Sequence, residues 1–230
     1  PEPDWLAFQS GSGYFYACVD CIDRRCPTPL SAQEPAATMK FLTLTCAFLL
    51  SVASAVQVSE GADGFTAMFN GQDFAGWQFS DGSEAPANWK LVDGVIQLTG
   101  GGKPHLITAQ EYGDYEMAFE WRSLKEKYNS GFFIRTGKGG GKNQINLAKG
   151  SEGAFIGGKL EGAKKVPELQ NPPGEWNQWR VRIAGDKVTF WCNGKLAWEG
   201  TGLTPEKGFI GLQAEGAPLE FRNLRIREIK

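Results

Sequence analysis

The sequence predicts an all-β protein built as a two-sheet antiparallel β-sandwich, and three observations lead to that prediction. Short runs of alternating apolar and polar residues follow one another along the last two thirds of the 230-residue chain. Gly, Pro and Asn residues separate these runs. The spacing leaves almost no room for helices. Many short strands divided by turn residues are typical of sandwiches and barrels, whereas alternating strand and helix patterns indicate βαβ units.

An apolar stretch in the first quarter of the chain predicts export. Met39 and Lys40 precede an apolar run at residues 41–52, and a small-x-small sequence ends at Ala55. A positive start, an apolar run too short to span a bilayer and a cleavage site are the parts of a secretory signal peptide. We therefore predict a signal peptide over residues 39–55, a periplasmic or extracellular protein, and no membrane insertion after signal cleavage. A buried helix is the alternative.

The residues before the predicted signal are explained most simply as a segment translated from upstream of the true start, or a disordered one. Residues 1–38 are rich in Pro, Ser, Ala and Cys and show no sustained periodicity. Cys18, Cys21 and Cys26 suggest metal ligation as an alternative, but a single C-x-x-C without a fourth ligand is weak evidence for zinc. Residues 56–63 are predicted to be a short leader, and residues 64–230 one domain.

The numbers of cysteines and charged residues argue against an internal disulfide and against highly charged partners. Once the predicted signal and the residues before it are removed, Cys192 is the remaining cysteine, so the exported domain has no internal disulfide. A domain of about 175 residues buries an adequate core without one. Lys and Arg then balance Asp and Glu, so the charge argues against nucleic acid or an anionic membrane surface as a partner.

The strand pattern also predicts local features. Residues 115–121 alternate strictly, with apolar side chains on one face and small or charged ones on the other, as in a half-buried strand. Asn193 and Gly194 separate two further runs and suit a type I′ hairpin turn, which needs positive φ at both positions. Near Arg222 and Asn223 the apolar residues change from odd to even positions, which predicts a β-bulge.

The predicted domain also contains specific sequence motifs. Eight stretches resemble, in order and spacing, the 3-keto-disaccharide hydrolase-like domain family. They are F-T-A-M-F-N-G-Q-D-F-A-G-W (65–77), W-K-L-V-D-G-V-I (89–96), Y-G-D-Y-E (112–116), N-S-G-F-F-I-R (129–135), G-E-W-N-Q-W (174–179), W-C-N-G-K (191–195), G-L-Q (211–213) and L-E-F-R-N-L-R-I (219–226).

The resemblance implies a jelly roll of concanavalin A-like, laminarinase type and a carbohydrate partner, either a keto-glycoside or an oligosaccharide. It also implies cleavage of a glycosidic bond after position 3 of one ring has been oxidised to a ketone. That chemistry needs a base, an acid, and a polar or metal centre that holds the enediolate oxygen. No cofactor is certain, and a divalent metal is left open.

Two positions depart from the family pattern. The family often has an acid two residues before the Gln of its E-x-Q-I-like strand, where this chain has Lys142. It also often reads L-Q-D-H-G near its end, where this chain has Ala214 and Glu215 in place of Asp and His. These departures are compatible with a subgroup that uses different ligands, or with a domain that binds without catalysis.

One group of candidate site residues is expected to share a sheet. Glu120 lies on the polar face of its strand, and with Arg135, Gln144 and Asn146 it is expected to form the floor of a groove on a concave sheet. Glu120 is the first candidate catalytic acid, and the other three are candidates for substrate binding. The alternative is that Glu120 and Arg135 form a structural ion pair.

The remaining candidates lie in or beside loops. Glu215, in a Gly-flanked loop at the end of a strand, is the second candidate catalytic acid, with a solvated loop acid as the alternative. Trp176, beside a Pro-Pro-Gly rim, is the best candidate to stack on a pyranose face, although most tryptophans are expected in the core. His105 is the only histidine and is expected to be an ordinary surface or strand residue.

These observations predict an exported protein that cleaves 3-keto-disaccharides or related keto-glycosides as a hydrolase or lyase. The competing class is a non-catalytic carbohydrate-binding module with the same fold. A structural or interaction domain attached to the cell envelope is the third class.

Overall fold

The computed structural model describes residues 5–10, 13–18 and 63–230, apart from Ala85 and Ala217. The chain divides into two compact units, Pro1–Ala53 and Ser54–Lys230. In the first unit, β1 (Trp5–Ser10) and β2 (Gly13–Cys18) pair as an antiparallel hairpin. The predicted signal peptide, Cys21, Cys26 and nearly all of the predicted leader lie outside the described residues.

The second unit is built almost entirely from strands, as the sequence predicts. Within residues 63–230 the one helix described is a 3-10 turn at Pro167–Leu169. The strands are β3 (Thr66–Ala67), β4 (Trp77–Phe79), β5 (Trp89–Val92), β6 (Val95–Leu98), β7 (Leu106–Thr108), β8 (Tyr115–Ser123), β9 (Gly131–Thr136), β10 (Gln144–Asn146), β11 (Phe155–Ile156), β12 (Asn177–Ala184), β13 (Lys187–Cys192), β14 (Lys195–Gly200), β15 (Phe209–Leu212) and β16 (Leu219–Glu228).

These strands form two antiparallel sheets. The eight-stranded sheet runs in the order β14-β13-β12-β8-β16-β6-β5, with β3 paired to β16. The six-stranded sheet runs in the order β11-β10-β9-β15-β7-β4. The two-sheet antiparallel sandwich predicted from the sequence is confirmed.

The hydrophobic core lies between the two sheets. Phe119 of β8 meets Phe132 of β9 with 4.7 Å between ring centroids, and Trp179 of β12 contacts Phe119 edge to face. Trp121 and Phe190 pack edge to face on Trp179, and all five rings are almost fully buried. The alternation that fills this core also directs the other side chains of β8 and β12 to the outer face of the eight-stranded sheet.

The predicted turn and bulge are both present. Asn193 and Gly194 have φ values of 50° and 77° and join β13 to β14 as a hairpin. The register between β16 and β8 shifts between Arg222 and Arg225, where Asn223 has φ 55°. Because the bulge absorbs the change from even to odd positions, Arg222 before it and Arg225 and Arg227 after it all lie on the outer face.

Candidate functional site

The outer face of the eight-stranded sheet carries two neighbouring cavities. Their volumes are about 510 and 390 Å³, and both are lined by Ala118, Gln178 and Arg225. Ala118 is the smallest outward-facing residue of β8, and it lies between Glu116 and Glu120. Because its side chain is short, no side chain of β8 separates the two cavities at this point. The two cavities together form one groove across β8, β12 and β16.

Glu120 lies in the larger cavity of this groove and is held by two donors. Arg222 Nε donates to Glu120 Oε2 at 2.7 Å, and Asn223 Nδ2 donates to Oε1 at 3.0 Å. The Glu120 side chain remains 23% exposed. The bulge of β16 supplies both donors, and the result is a carboxylate that is fixed in orientation and open to the groove.

Trp176 supports this arrangement from the side. It directly precedes β12, and the guanidinium carbons of Arg222 and Arg122 lie 3.9 and 4.5 Å from its ring centroid. Arg122 is itself paired with Glu220 at 2.6 Å. The ring of Trp176 therefore stacks on guanidinium groups, including the one that orients Glu120. Its predicted role as a platform for a sugar ring stays a prediction.

The smaller cavity is organised around a buried carboxylate. Glu116 is almost fully buried, accepts a hydrogen bond from Arg227 Nη2 at 2.9 Å and pairs with Arg180 Nη1 at 3.4 Å. The guanidinium of Arg180 lies 4.0 Å from the ring centroid of Trp191, and that of Arg227 lies 5.0 Å from the ring centroid of Phe65. One carboxylate thus fixes two arginines that each lie over an aromatic ring.

Arg225 connects the two cavities. Its Nη1 lies 3.2 Å from Asp63 Oδ2, its guanidinium lies 5.2 Å from the centroid of Phe65, and its side chain remains 43% exposed. Because β16 places it opposite Ala118, it faces the centre of the groove. It is the one cation that lines both cavities.

The expected floor of Glu120, Arg135, Gln144 and Asn146 is wrong, because the four residues belong to different sheets. Glu120 lies in β8 of the eight-stranded sheet, whereas the other three lie in β9 and β10 of the six-stranded sheet. The alternative, an ion pair between Glu120 and Arg135, is wrong as well, because Glu120 pairs with Arg222 and Arg135 pairs with Asp114. Period-two alternation shows which face of its own strand a residue occupies, but it does not show in which sheet the strand lies.

Arg135 has a structural environment. Its side chain is 1% exposed and pairs with Asp114 at 2.7 Å. The same guanidinium donates to the carbonyl oxygens of Gly113, Gly185 and Pro205. These contacts hold together three loops: the loop before β8, the loop between β12 and β13, and the loop before β15. They also occupy the guanidinium N–H groups with which Arg135 would bind a ligand.

Gln144 and Asn146 do come together, on the outer side of the six-stranded sheet. Gln144 Nε2 donates to Asn146 Oδ1 at 3.2 Å and to the Ser130 carbonyl at 3.3 Å, and Asn146 Nδ2 donates to Ser151 Oγ at 2.8 Å. Gly131 makes room for this cluster, because a Cβ there would overlap the side-chain amide of Gln144. Both amides are buried, at 4% and 8% exposure.

Glu215 lies in the loop between β15 and β16, partly exposed, and it lines neither cavity. The loop is anchored next to it, where the Ala214 backbone N–H donates to His105 Nδ1 at 3.1 Å. His105 is 6% exposed. Burial lowers the pKa of His105, and the positive charge of Lys103 lowers it further. The acceptor role of Nδ1 also requires the neutral imidazole.

Several groove residues were not among the sequence candidates. Glu116 shares the outer face of β8 with Glu120, so strand alternation alone could have found it. The arginines could have been found as a group, since they occupy the polar face of two strands. They are Arg180, Arg225 and Arg227.

Within residues 63–230, no group of three or more His, Cys, Asp and Glu side chains comes together as a set of metal ligands. No helix in the described part of the chain is long and apolar enough to cross a membrane.

Comparison with known families gives one match that spans the sandwich. The family described as the 3-keto-alpha-glucoside-1,2-lyase-like domain matches residues 64–227. A curated relative is the 3-keto-disaccharide hydrolase of Bacteroides thetaiotaomicron, which is 24% identical over 75% of this chain and 81% of its own length.

Solved structures show the same fold. A proposed glycosyl hydrolase from Parabacteroides distasonis superposes with a TM-score of 0.60 and 22% identity, covering 74% of this chain and 96% of that one. The carbohydrate-binding module CBM66 from Bacillus subtilis superposes with a TM-score of 0.52 and 12% identity, covering 66% of this chain and 96% of that one. At these identities the likeness concerns the fold alone.

Proposed function

This chain belongs to the 3-keto-alpha-glucoside-1,2-lyase-like domain family, and from that premise we propose that it cleaves 3-keto-disaccharides or related keto-glycosides. The family indicates a carbohydrate-active, glycosyl-hydrolase-like protein. The observation that carries the finer proposal is Glu120, a fixed carboxylate in an open cavity of about 510 Å³. Small-molecule sites typically enclose roughly 300–1,000 Å³ and contain a few converging polar groups.

Glu120 would act as the general base. The ketone at ring position 3 acidifies the proton on C2, and the Glu120 carboxylate removes that proton. The C–H electrons form an enolate over C2, C3 and the ketone oxygen. When this enolate collapses, a double bond forms between C1 and C2, the C1–O bond breaks, and the leaving oxygen takes a proton from protonated Glu120 or from water. Water then adds across the double bond. Arg222 and Asn223 would hold the base in position during the first step.

Arg225 would stabilise the negative charge that develops. When C2 loses its proton, electron density moves onto the oxygen at C3 and gives an enolate-type anion. Arg225 lines the same cavity as Glu120, so its guanidinium supports a role as the cation that faces this oxygen. Fixed positive groups aimed at developing charge contribute strongly to catalysis in a water-poor site.

A non-catalytic carbohydrate-binding module is the second candidate. Glu120 is already engaged by Arg222 and Asn223, and a carboxylate held in this way still has free lone pairs that can accept hydrogen bonds from sugar hydroxyls without removing a proton. The family's acid and histidine are also replaced at Lys142 and Glu215. These features favour binding without turnover.

The two candidates are separated by one experiment. A 3-keto-disaccharide and its unoxidised parent are incubated with the protein, and the released sugar is measured together with the binding affinity. We expect release from the 3-keto substrate and none from the parent, since only the ketone acidifies the C2 proton. Binding of both sugars with release from neither would establish the binding module.

We also propose that this protein is exported. The sequence from Met39 to Ala55 supports secretion, with a mature protein that begins at Val56. N-terminal sequencing of protein recovered outside the cytoplasm should find Val56 or a neighbouring residue. An N-terminus before Met39 would contradict both the export and the upstream origin of residues 1–38.

A further inference from the structure

The smaller cavity of the groove presents an unusual arrangement of charge. Three arginines line it, and their side chains are about half exposed: Arg180 at 45%, Arg225 at 43% and Arg227 at 43%. The Glu116 carboxylate that binds two of them is only 4% exposed. Positive groups therefore face the cavity, and the negative group that holds them lies beneath.

The charges that line this cavity do not cancel. Arg180 and Arg227 share the single carboxylate of Glu116, and Arg225 pairs with Asp63. Three cations thus meet two anions among the lining residues. Asp63 is itself 49% exposed, and solvent screens an exposed pair strongly, so it neutralises Arg225 only weakly.

The guanidinium groups are held in fixed orientations. Arg180 lies over Trp191, and Arg225 and Arg227 both lie over Phe65. A guanidinium fixed by a ring and a carboxylate loses less conformational entropy when it binds a ligand. Its planar set of donors matches the two oxygens of a carboxylate, and an ordered pair of this kind is stronger than a neutral hydrogen bond.

The two cavities are continuous, because they share Ala118, Gln178 and Arg225. A disaccharide whose oxidised ring lies at Glu120 would place its second ring at the arginines. We infer that the smaller cavity is a subsite for an anionic sugar, a ring that carries an oxyanion such as the carboxylate of a uronic acid. The inference rests on the proposed function, because it names the second ring of the substrate that this groove takes.

Calorimetric titration tests the inference directly. The ligands are a glucuronate-bearing disaccharide and the neutral disaccharide with the same linkage. We expect the acidic sugar to bind at least about tenfold more tightly at low salt, with the preference shrinking as salt is added. Free glucuronate and inorganic sulfate, titrated separately, show whether the whole sugar or any small oxyanion satisfies the site.

Variants assign the effect to residues. Arg180→Gln and Arg227→Gln should each remove most of the preference for the acidic sugar, measured in each variant as the ratio of the affinity for the acidic sugar to the affinity for the neutral sugar. Asp63→Asn should strengthen the preference, because it removes a competing carboxylate from Arg225. Lys90→Gln is the matched control, since it removes an exposed charge from the same sheet outside both cavities.

Equal affinity for the acidic and neutral sugars would overturn the inference. So would a preference that survives both arginine substitutions, or tight binding of sulfate alone with no contribution from the sugar. Turnover of a neutral 3-keto-disaccharide is measured in parallel. If the protein cleaves the neutral substrate but does not prefer the acidic sugar, the subsite inference is wrong and the cleavage proposal stands. If it prefers the acidic sugar but cleaves no substrate, the cleavage proposal is wrong and the protein is a binder of anionic sugars.

Discussion

The arginines of this protein differ in function according to their burial and their partners. Arg135 is buried and satisfied by Asp114 and by three backbone carbonyls. Arg222 orients Glu120, and Arg225 remains half exposed in the groove. The sequence presents all three as polar residues in strands. Only their burial and partners separate an arginine that holds loops together from one that can contact a ligand.

Replacement of Arg135 tests its structural role. Arg135→Leu should lower the free energy of unfolding by about 3–5 kcal/mol, because it leaves buried carbonyl oxygens without donors and Asp114 without its partner. Denaturant unfolding gives the measurement. Arg182→Leu, on an exposed face of β12, is the control and should change stability by at most about 0.5 kcal/mol. Unchanged stability in Arg135→Leu together with lost sugar binding would instead support the ligand role predicted from the sequence.

His105 gives a prediction of pH dependence. Its pKa is lowered from the ordinary value of 6.5 by burial and by Lys103, so the unfolded chain takes up a proton more readily than the folded one. The stabilising contribution is therefore complete above pH 6.5 and is lost as the pH falls through the folded-state pKa. Because His105 is the only histidine, the loss of stability just below neutral pH can be assigned to it.

The matched variant for this prediction is His105→Asn. An asparagine can keep an acceptor near the Ala214 N–H, but it does not titrate. Thermal melts between neutral pH and the range where carboxylates begin to titrate should show a decline for the wild type and a flatter profile for the variant. Parallel profiles for the two proteins would contradict the assignment to His105.

At the scale of elements, two local signals in the sequence predicted the structure well. The Asn193-Gly194 pair predicted the hairpin between β13 and β14, because few residues other than Asn and Gly adopt positive φ easily. The change of apolar register near Arg222 and Asn223 predicted the bulge in β16. Both signals depend on backbone conformations that a few neighbouring residues decide, so they can be read without knowledge of the rest of the fold.

Substitution of Gly194 in the hairpin turn tests whether its positive φ requires glycine. Gly194 has φ 77°, and no atom lies within 4 Å of the Cβ that an alanine would add. Gly194→Ala should therefore lose about 1 kcal/mol of stability through backbone strain alone. Gly102 has the same free space without a positive φ, so Gly102→Ala should be neutral or slightly stabilising. Equal effects of the two substitutions in denaturant unfolding would refute the backbone explanation.

At the scale of the whole molecule, the sequence predicted the fold class but not the arrangement of the site. Alternation in residues 115–121 correctly separated the buried face of β8 from the polar face. It could not show that β8 lies between β12 and β16, which begin 62 and 104 positions after Tyr115. The groove depends on that pairing, since its charges come from all three strands.

The same limitation explains the misplaced floor of the site. Glu120 and Arg135 are close in sequence and lie in consecutive strands, so a shared sheet was a natural expectation. The chain instead crosses from the eight-stranded to the six-stranded sheet between β8 and β9. Glu120 consequently meets Arg222 of a distant strand, and Arg135 meets Asp114. Long-range strand pairing decided both contacts.

We propose that the groove of the eight-stranded sheet is the active site and that Glu120 is its base. The most direct test is the single-turnover rate on a 3-keto-disaccharide for the wild type, Glu120→Gln and Glu215→Gln, with sugar affinity measured in parallel. Glu199→Gln is the control, because Glu199 is an exposed acid of β14 in the same sheet.

We predict that Glu120→Gln lowers the rate by a factor on the order of 10²–10⁴, the usual loss when a general base is removed, while its sugar affinity stays close to that of the wild type. Glu215→Gln and Glu199→Gln should retain nearly the full rate. A wild-type rate in Glu120→Gln, with turnover abolished in Glu215→Gln, would contradict the claim and assign the chemistry to the loop between β15 and β16.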